Sequence, residues 1–130
     1  MPVELDPCRE MLPPKAIEGL QLFAAGEYFE AHEALEAAWK AERGPIRGLY
    51  RGVLGAAVTY LHITRGNYAG ALKLYERTQR WLKPWSDVCQ GIEVNRLRRD
   101  LETVIRELQS LGRERIAEFD RSLLESAHWH

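Results

Sequence analysis

Apolar residues recur along most of the chain at the three- and four-residue spacing of an amphipathic α-helix. In the stretch 48–67 they cover nearly every side of a helical wheel, and a helix that is apolar all round lies buried among other elements. Two polar residues, Arg51 and His62, interrupt this stretch, and they share one stripe with Gly55 and Val58. We therefore predict a central helix over 48–67 that carries a polar site on one stripe.

The same spacing predicts four further helices and one amphipathic segment. Their ends are set by glycine, which closes helices, and by proline, which starts or breaks them. The helices are predicted at 13–25, 27–43, 67–83 and 92–111, and the amphipathic segment at 113–130. That segment is either a docked helix or a dimer contact. No stretch alternates with a period of two for long enough to predict a sheet, so the fold class is all-α and the stretch before the fifth helix is a loop.

A faint repeat relates two parts of the chain at an offset of 40 residues. Gly26-Glu27-Tyr28 matches Gly66-Asn67-Tyr68, and each tripeptide follows an apolar helix. Two hairpins fall short of the three or more repeats that a solenoid usually needs. We predict a single domain over 1–130, a compact bundle of five to six helices built from two similar hairpins around the central helix.

The composition argues against several classes of protein but does not indicate a particular function. The chain carries 18 basic and 19 acidic side chains, a balance that argues against attraction to nucleic acid or membranes through net charge. Cys8 and Cys89 are isolated and lack metal-type spacing, so we expect free thiols in a reducing cytoplasm. Residues 1–12 lack the apolar core of a signal peptide, and the polar residues and glycines of the central helix make it a poor membrane span.

The second predicted helix carries the candidate chemistry. His32 and Glu36 lie one turn apart on a helix, so their side chains can converge on one point. The short Gly44-Pro45 turn favours antiparallel packing, which brings His62 of the central helix within about one turn of His32. Two imidazoles and one carboxylate form a known catalytic zinc set that lowers the pKa of bound water. The catalytic interpretation is a divalent metal such as zinc on these three residues, with Glu33 as general base.

A structural interpretation of the same residues competes with the catalytic one. His32 would donate to Glu36, and Arg51 or His62 would complete a buried polar network that fixes the helix register. No metal and no substrate are needed in this interpretation. Both alternatives remain open on the residues alone.

Two further residues are candidates for ligand binding. Arg51 either pairs with Glu36 or Glu33 across the hairpin, or binds an anionic ligand with its fixed fork of donors. Tyr28 is the residue of the second helix that the antiparallel register brings nearest to His62, so it borders the same site. We therefore add Arg51 and Tyr28 to the candidate site.

Two linked motifs resemble domain-of-unknown-function family 309. The first motif comprises Phe29, Glu30, Ala31, His32, Glu33, Leu35, Glu36 and Trp39. The second continues with a glycine and ends in H-x-x-x-G-N-x-x-G-A, and this chain supplies Gly52, His62, Gly66, Asn67, Gly70 and Ala71. Gly55 stands where the family commonly has glutamine. The resemblance covers about 20–84, the family-like core, and leaves 92–130 as a C-terminal helical extension.

The resemblance implies a small all-helical bundle of bacteria and archaea that has been labelled a predicted metal-dependent hydrolase, without a settled activity. That label agrees with a metal on His32, Glu36 and His62. From the residues and the resemblance together we expect a cytoplasmic structural or partner-binding module with a buried His/Glu/Arg pocket, which assembles as a homo-oligomer and binds neither nucleic acid nor membranes. The alternative is a metal-dependent hydrolase.

Overall fold

The computed structural model describes residues 6–124 and confirms the all-α prediction. Within these residues the α-helices are α1 (Pro14–Ala24), α2 (Tyr28–Ala41), α3 (Arg47–Thr64), α4 (Tyr68–Leu82) and α5 (Val94–Leu111). Each begins and ends within a few residues of the range predicted from the apolar spacing. Within 6–124, no helix is both long enough and apolar enough to cross a lipid bilayer.

Short 3₁₀ helices stand at both ends of the described chain. One covers Pro7–Arg9, and two cover Arg113–Glu118 and Arg121–Leu124. Phe119 and Leu124 are buried in the main hydrophobic cluster. The predicted C-terminal segment is therefore docked on the bundle as far as residue 124, although as 3₁₀ turns rather than one helix, and its last six residues lie outside the described part.

A small antiparallel hairpin precedes α5, where the sequence predicted only a loop. Its strands are β1 (Val88–Cys89) and β2 (Ile92–Glu93). Gln90 and Gly91 connect them at positive φ values of 51° and 81°, the backbone twist that a two-residue hairpin turn requires. Strands of two residues are too short to show alternation, which explains why the sequence pattern did not reveal them.

The two predicted helical hairpins, α1–α2 and α3–α4, have turns of the same construction. Gly26 and Gly66 adopt left-handed φ values of 79° and 75°. In both turns the amide after the glycine donates to the carbonyl five residues earlier, at 2.9 Å in the first turn and 2.8 Å in the second. This is the hydrogen bond of a Schellman helix end, which glycine favours. The repeat seen in the sequence is therefore a repeat of turn geometry.

Helix α3 lies between α2 and α4 and supplies many of the core residues. The prediction that it is buried on all sides is wrong in one respect. Arg51 is exposed, and Leu54, Val58 and His62 are only partly buried. These residues form one stripe that neither neighbouring helix covers completely, so the predicted polar site lies at the surface of the bundle.

Glycines allow α3 and α4 to approach closely. A Cβ added to Gly52 would lie 2.5 Å from a methyl carbon of Leu82, and one added to Gly55 would collide with the hydroxyl of Thr78. Real side chains do not tolerate such distances, so this crossing depends on the missing methyl groups. The close contact fixes which faces of the two helices meet.

Cys8 and Cys89 form a disulfide, and the prediction of free thiols is wrong. Their Cα atoms are 4.2 Å apart although 81 positions separate them in the chain. Gln90 supports this junction, because its backbone amide donates to the Cys8 carbonyl at 2.7 Å. The Gln90 side chain accepts from the Tyr50 hydroxyl and donates to the Pro7 carbonyl. Such a long-range pairing cannot be read from cysteine spacing.

Candidate functional site

Three side chains form a row along α2, which we call the α2 ladder: His32, Glu36 and Lys40. Their spacing of four residues places them on one side of the helix. The Glu36 carboxylate lies 3.0 Å from His32 Nε2 and 2.7 Å from Lys40 Nζ, through different oxygens. The His32 and Glu36 side chains are 30% and 34% exposed. The ladder is thus a half-exposed feature of the helix surface.

The Glu36 carboxylate at the centre of the ladder is kept ionised by its two neighbours. The Lys40 ammonium, which hydrogen-bonds to Glu36, lowers the pKa of that carboxyl, and His32 lowers it further. An ionised carboxylate accepts hydrogen bonds from both neighbours. In the described chain, His32 Nδ1 is buried and has no hydrogen-bond partner.

Glu33 lies beside the ladder in a shallow depression of about 340 Å³. All six residues that line it belong to α2: Phe29, His32, Glu33, Glu36, Ala37 and Lys40. Because a single helix forms the whole lining, the depression has no opposing wall. The buried polar pocket expected from the sequence is therefore an open surface, which water reaches freely.

His62 belongs to a different arrangement, which we call the Asn67 cap. His62 Nδ1 lies 3.1 Å from the Asn67 amide nitrogen, and the Asn67 side-chain oxygen accepts from the Gly70 amide at 2.9 Å. Asparagine is a favoured helix N-cap because its oxygen satisfies such an unpaired amide. A Cβ at Gly70 would lie 2.5 Å from Asn67 Nδ2, so only glycine leaves room for this side chain. The cap joins the end of α3 to the start of α4.

The protonation of His62 suits this role. Burial lowers the pKa of His62, and the neighbouring Arg65 guanidinium lowers it further. A neutral imidazole can accept a hydrogen bond at Nδ1, which an imidazolium cannot. The Asn67 amide N–H therefore donates to a neutral His62.

The three predicted metal ligands are not brought together. His32 and Glu36 meet in the α2 ladder, whereas His62 bonds to Asn67 at the end of its own helix. Across residues 6–124, no three His, Cys, Asp or Glu side chains are grouped closely enough to hold a metal ion. The sequence register did not reveal that the His62 ring bonds to Asn67 at the end of its own helix. Metal binding by these residues stays a prediction.

Arg51 lies between two tryptophans and not beside a glutamate. Its guanidinium carbon is 4.3 Å from the ring centre of Trp81 and 5.6 Å from that of Trp39. The Arg47 guanidinium carbon lies 4.4 Å from the Trp39 ring centre, and Arg47 donates to the Trp39 carbonyl at 2.9 Å. The predicted ion pair with Glu36 or Glu33 is wrong, because no ion pair of Arg51 occurs among residues 6–124 and its guanidinium packs on the two tryptophans instead. The role of Arg51 in anion binding stays a prediction.

Tyr28 is part of an aromatic cluster in the core. Its ring centre is 5.8 Å from Phe23 and 5.6 Å from Tyr60, in edge-to-face contact with each. Tyr28 also lines a second depression of about 340 Å³, together with Thr64 and Arg121 among others. Tyr28 therefore lies apart from the depression of the α2 ladder, and its predicted role as a ligand-binding residue has no geometric link to Arg51.

Sequence reasoning missed a polar groove between α4 and α5. Gln79 and Arg98 bridge the two helices through reciprocal hydrogen bonds of 2.9 Å and 3.0 Å. The groove beside them has a volume of about 450 Å³ and is also lined by Tyr75, Asn95 and Arg99. In sequence these residues resemble any solvated helix face, and only the packing of the two helices brings them together.

Comparison with protein families finds a match over part of the chain. Residues 16–74 match the family model described as Domain of unknown function (DUF309). No curated protein and no solved structure matches the chain. The matched segment runs from α1 into α4 and contains both the α2 ladder and the Asn67 cap. The resemblance predicted from the two motifs is confirmed, and over residues 16–74 the chain is similar to the Domain of unknown function (DUF309) family.

Proposed function

We propose that this chain is a non-catalytic helical module whose family motifs build the scaffold and whose α2 surface binds a partner. One observation carries the proposal: the two motif histidines make separate contacts, His32 with Glu36 and His62 with Asn67. A catalytic metal centre needs its ligands to converge on one open position. Separate structural bonds for each histidine favour a role in shaping the bundle.

The shape of the α2 surface supports the same proposal. Enzyme and cofactor sites are usually concave, with walls contributed by several elements. The depression at the α2 ladder has a lining from one helix only, so it suits a protein surface better than a small substrate. Phe29 is 43% exposed at one end of this surface, and it offers an apolar contact to a partner.

Elemental analysis of the purified, tag-free protein tests this proposal. The protein is incubated with zinc, manganese, iron or nickel, desalted, and analysed beside the double variant His32→Ala/His62→Ala. We expect no stoichiometric metal in either protein. About one metal ion per chain, lost in the double variant, would overturn the proposal. In parallel, His62→Ala is expected to lower the free energy of unfolding, whereas Glu33→Gln leaves it unchanged because Glu33 is exposed.

A metal-dependent hydrolase is the second candidate function. It is favoured by the adjacency of His32 and Glu36, which could hold a divalent ion such as zinc beside Glu33 on a surface open to water. His62 would have to leave Asn67 to complete the ligand set. In this case Glu33→Gln would abolish metal-dependent hydrolysis without changing stability, since the base would be lost and the fold kept.

A further inference from the structure

The exposed charges of α2 are separated by sign along the helix. Glu30 and Glu33 lie in its first half, and among the described residues neither carboxylate has an ion-pair partner. Lys40 lies in its last turn, where its ammonium pairs with Glu36 of the same chain at 2.7 Å and stays 63% exposed, and Arg43 follows two residues after the end of the helix. Arg43 is exposed and likewise lacks an ion pair in the described chain. One surface of the helix therefore carries unpaired negative charge at one end and positive charge at the other.

We propose that α2 of one chain packs antiparallel against α2 of a second copy, an inference that rests on the proposed function of α2 as a binding surface. An antiparallel pair centred between Glu36 and Ala37 is self-complementary. Glu33 and Lys40 lie at equal distances from that centre, about 5 Å along the axis on either side. Glu33 of one chain then faces the partner's Lys40, and Lys40 faces the partner's Glu33. A twofold axis produces such paired contacts.

The same register aligns the outer charges. Glu30 lies 6.5 positions before the centre, and Arg43 follows the end of α2 on the other side of it, so Glu30 of one chain lies toward the partner's Arg43. The dimer therefore contains two kinds of ion pair, and the twofold axis makes each of them occur twice. Within one chain, Glu33 and Lys40 are separated by about 10 Å along the helix axis, too far for an ion pair, and Glu30 and Arg43 are farther apart still. The α2 surface of a second copy presents the opposite charge at each of these positions.

Small and apolar residues on this surface permit the helices to approach. Ala37 lies at the centre of the proposed contact and Ala41 near its edge, and both are exposed. Phe29 is 43% exposed and would be covered by the C-terminal end of the partner's α2. A contact of one helix pair is small, so the dimer is expected to dissociate at about micromolar concentration.

Sedimentation velocity over a micromolar concentration series tests the proposal with two reciprocal variants. Glu33→Lys and Lys40→Glu each place like charges opposite one another at two positions of the homodimer. Each is expected to weaken dimerisation by at least about tenfold. An equimolar mixture of the two variants restores opposite charges at both positions, so it should form a heterodimer of wild-type affinity.

Matched controls separate this contact from a general effect of charge. Lys73→Glu on α4 and Glu114→Lys near the C terminus make the same charge changes at other exposed positions, and they should leave the affinity unchanged. A protein that is monomeric throughout the series, or a dimer that neither α2 variant weakens, would overturn the proposal. Because the metal content is measured separately, a metal-free monomer would reject this dimer alone, whereas stoichiometric metal would reject the proposed module.

Discussion

In the second motif, the residues from His62 to Ala71 have identifiable tasks in the turn between α3 and α4. His62 accepts a hydrogen bond from Asn67, and Asn67 caps α4 at the Gly70 amide. Gly66 supplies the left-handed backbone of the turn, and Ala71 is completely buried under it. This part of the motif therefore builds the junction between α3 and α4.

Loss of the Asn67 side chain should destabilise this junction. Asn67→Ala is expected to lower the free energy of unfolding by about 1 kcal/mol, because the Gly70 amide loses its cap. The repeat offers a matched control: Glu27 occupies the equivalent position before α2 and makes no side-chain cap. Glu27→Ala should change the stability by only a few tenths of a kcal/mol. Urea denaturation of both variants makes the comparison, and equal losses would contradict it.

The lowered pKa of His62 predicts a pH effect on stability. The unfolded chain takes up a proton at His62 near the ordinary pKa of 6.5, whereas the folded chain resists it. Stability should therefore fall as the pH decreases below about 6.5. His62→Gln, which still offers an acceptor to Asn67, should flatten this fall in urea denaturation between pH 7 and pH 5. If the slope of stability against pH stayed the same in the variant, the pH effect could not be assigned to His62.

Glu36 affects the pH dependence of stability in a separate and more acidic pH range than His62. Its pKa is lowered from 4.5 by Lys40 and His32, so its contribution to stability is present above pH 4.5 and is lost as the pH falls through the lower folded pKa. Glu36→Gln should therefore lower the stability by a constant amount above about pH 4.5 and should change the slope of stability against pH only at more acidic pH. This variant serves as the control for His62→Gln.

At the scale of elements, the pairing of α3 with α4 depends on glycines at the crossing. Gly55→Ala should lower the free energy of unfolding by about 1–3 kcal/mol through overpacking, even though alanine is the better helix former by about 1 kcal/mol. The reason is the collision of the added methyl group with the Thr78 side chain. Thermal or urea unfolding measures the loss.

A second substitution tests this explanation. Thr78→Ala removes the hydroxyl and methyl groups that the new side chain would meet, so Gly55→Ala/Thr78→Ala should recover part of the lost stability. Residues in contact are expected to couple energetically. If the double variant lost as much stability as the two single variants added together, the collision with Thr78 would not be the cause.

The elements also show how far a sequence can be read. The three- and four-residue spacing of apolar residues predicts the helices, and the repeated glycine turns predict which neighbouring helices pair, so both features could be read from the sequence. The β1–β2 hairpin was not, because two-residue strands have no period. The contact of Arg51 with Trp39 and Trp81 was not predicted either, because it depends on which side chains flank the exposed stripe of α3. Acidic and aromatic neighbours of an arginine cannot be distinguished from spacing alone.

At the scale of the whole molecule, one covalent link joins the start of the described chain to the hairpin before α5. The Cys8–Cys89 bond closes a loop of 81 positions, and closing so long a loop restricts the unfolded chain. Removing it in Cys8→Ser/Cys89→Ser should lower the free energy of unfolding by about 4 kcal/mol. Urea denaturation measures this loss, with the reduced wild-type protein as comparison.

A thiol count under denaturing conditions verifies the link itself. The denatured, unreduced protein should show no reactive thiol, and the reduced protein should show two. Two reactive thiols before reduction would contradict the pairing. The sequence could not reveal this bond, since only the docking of the N-terminal 3₁₀ helix on β1 brings the two cysteines together.

The central claim is that His32 and His62 act separately within a scaffold. The most direct test is an NMR titration of the histidine ring resonances with zinc, with each ring assigned by substitution. We predict that His62 remains neutral at pH 7 with an unprotonated Nδ1, and that one equivalent of zinc leaves it unchanged. Simultaneous shifts of His32 and His62, complete at one equivalent, would show that they share a metal and would contradict the account.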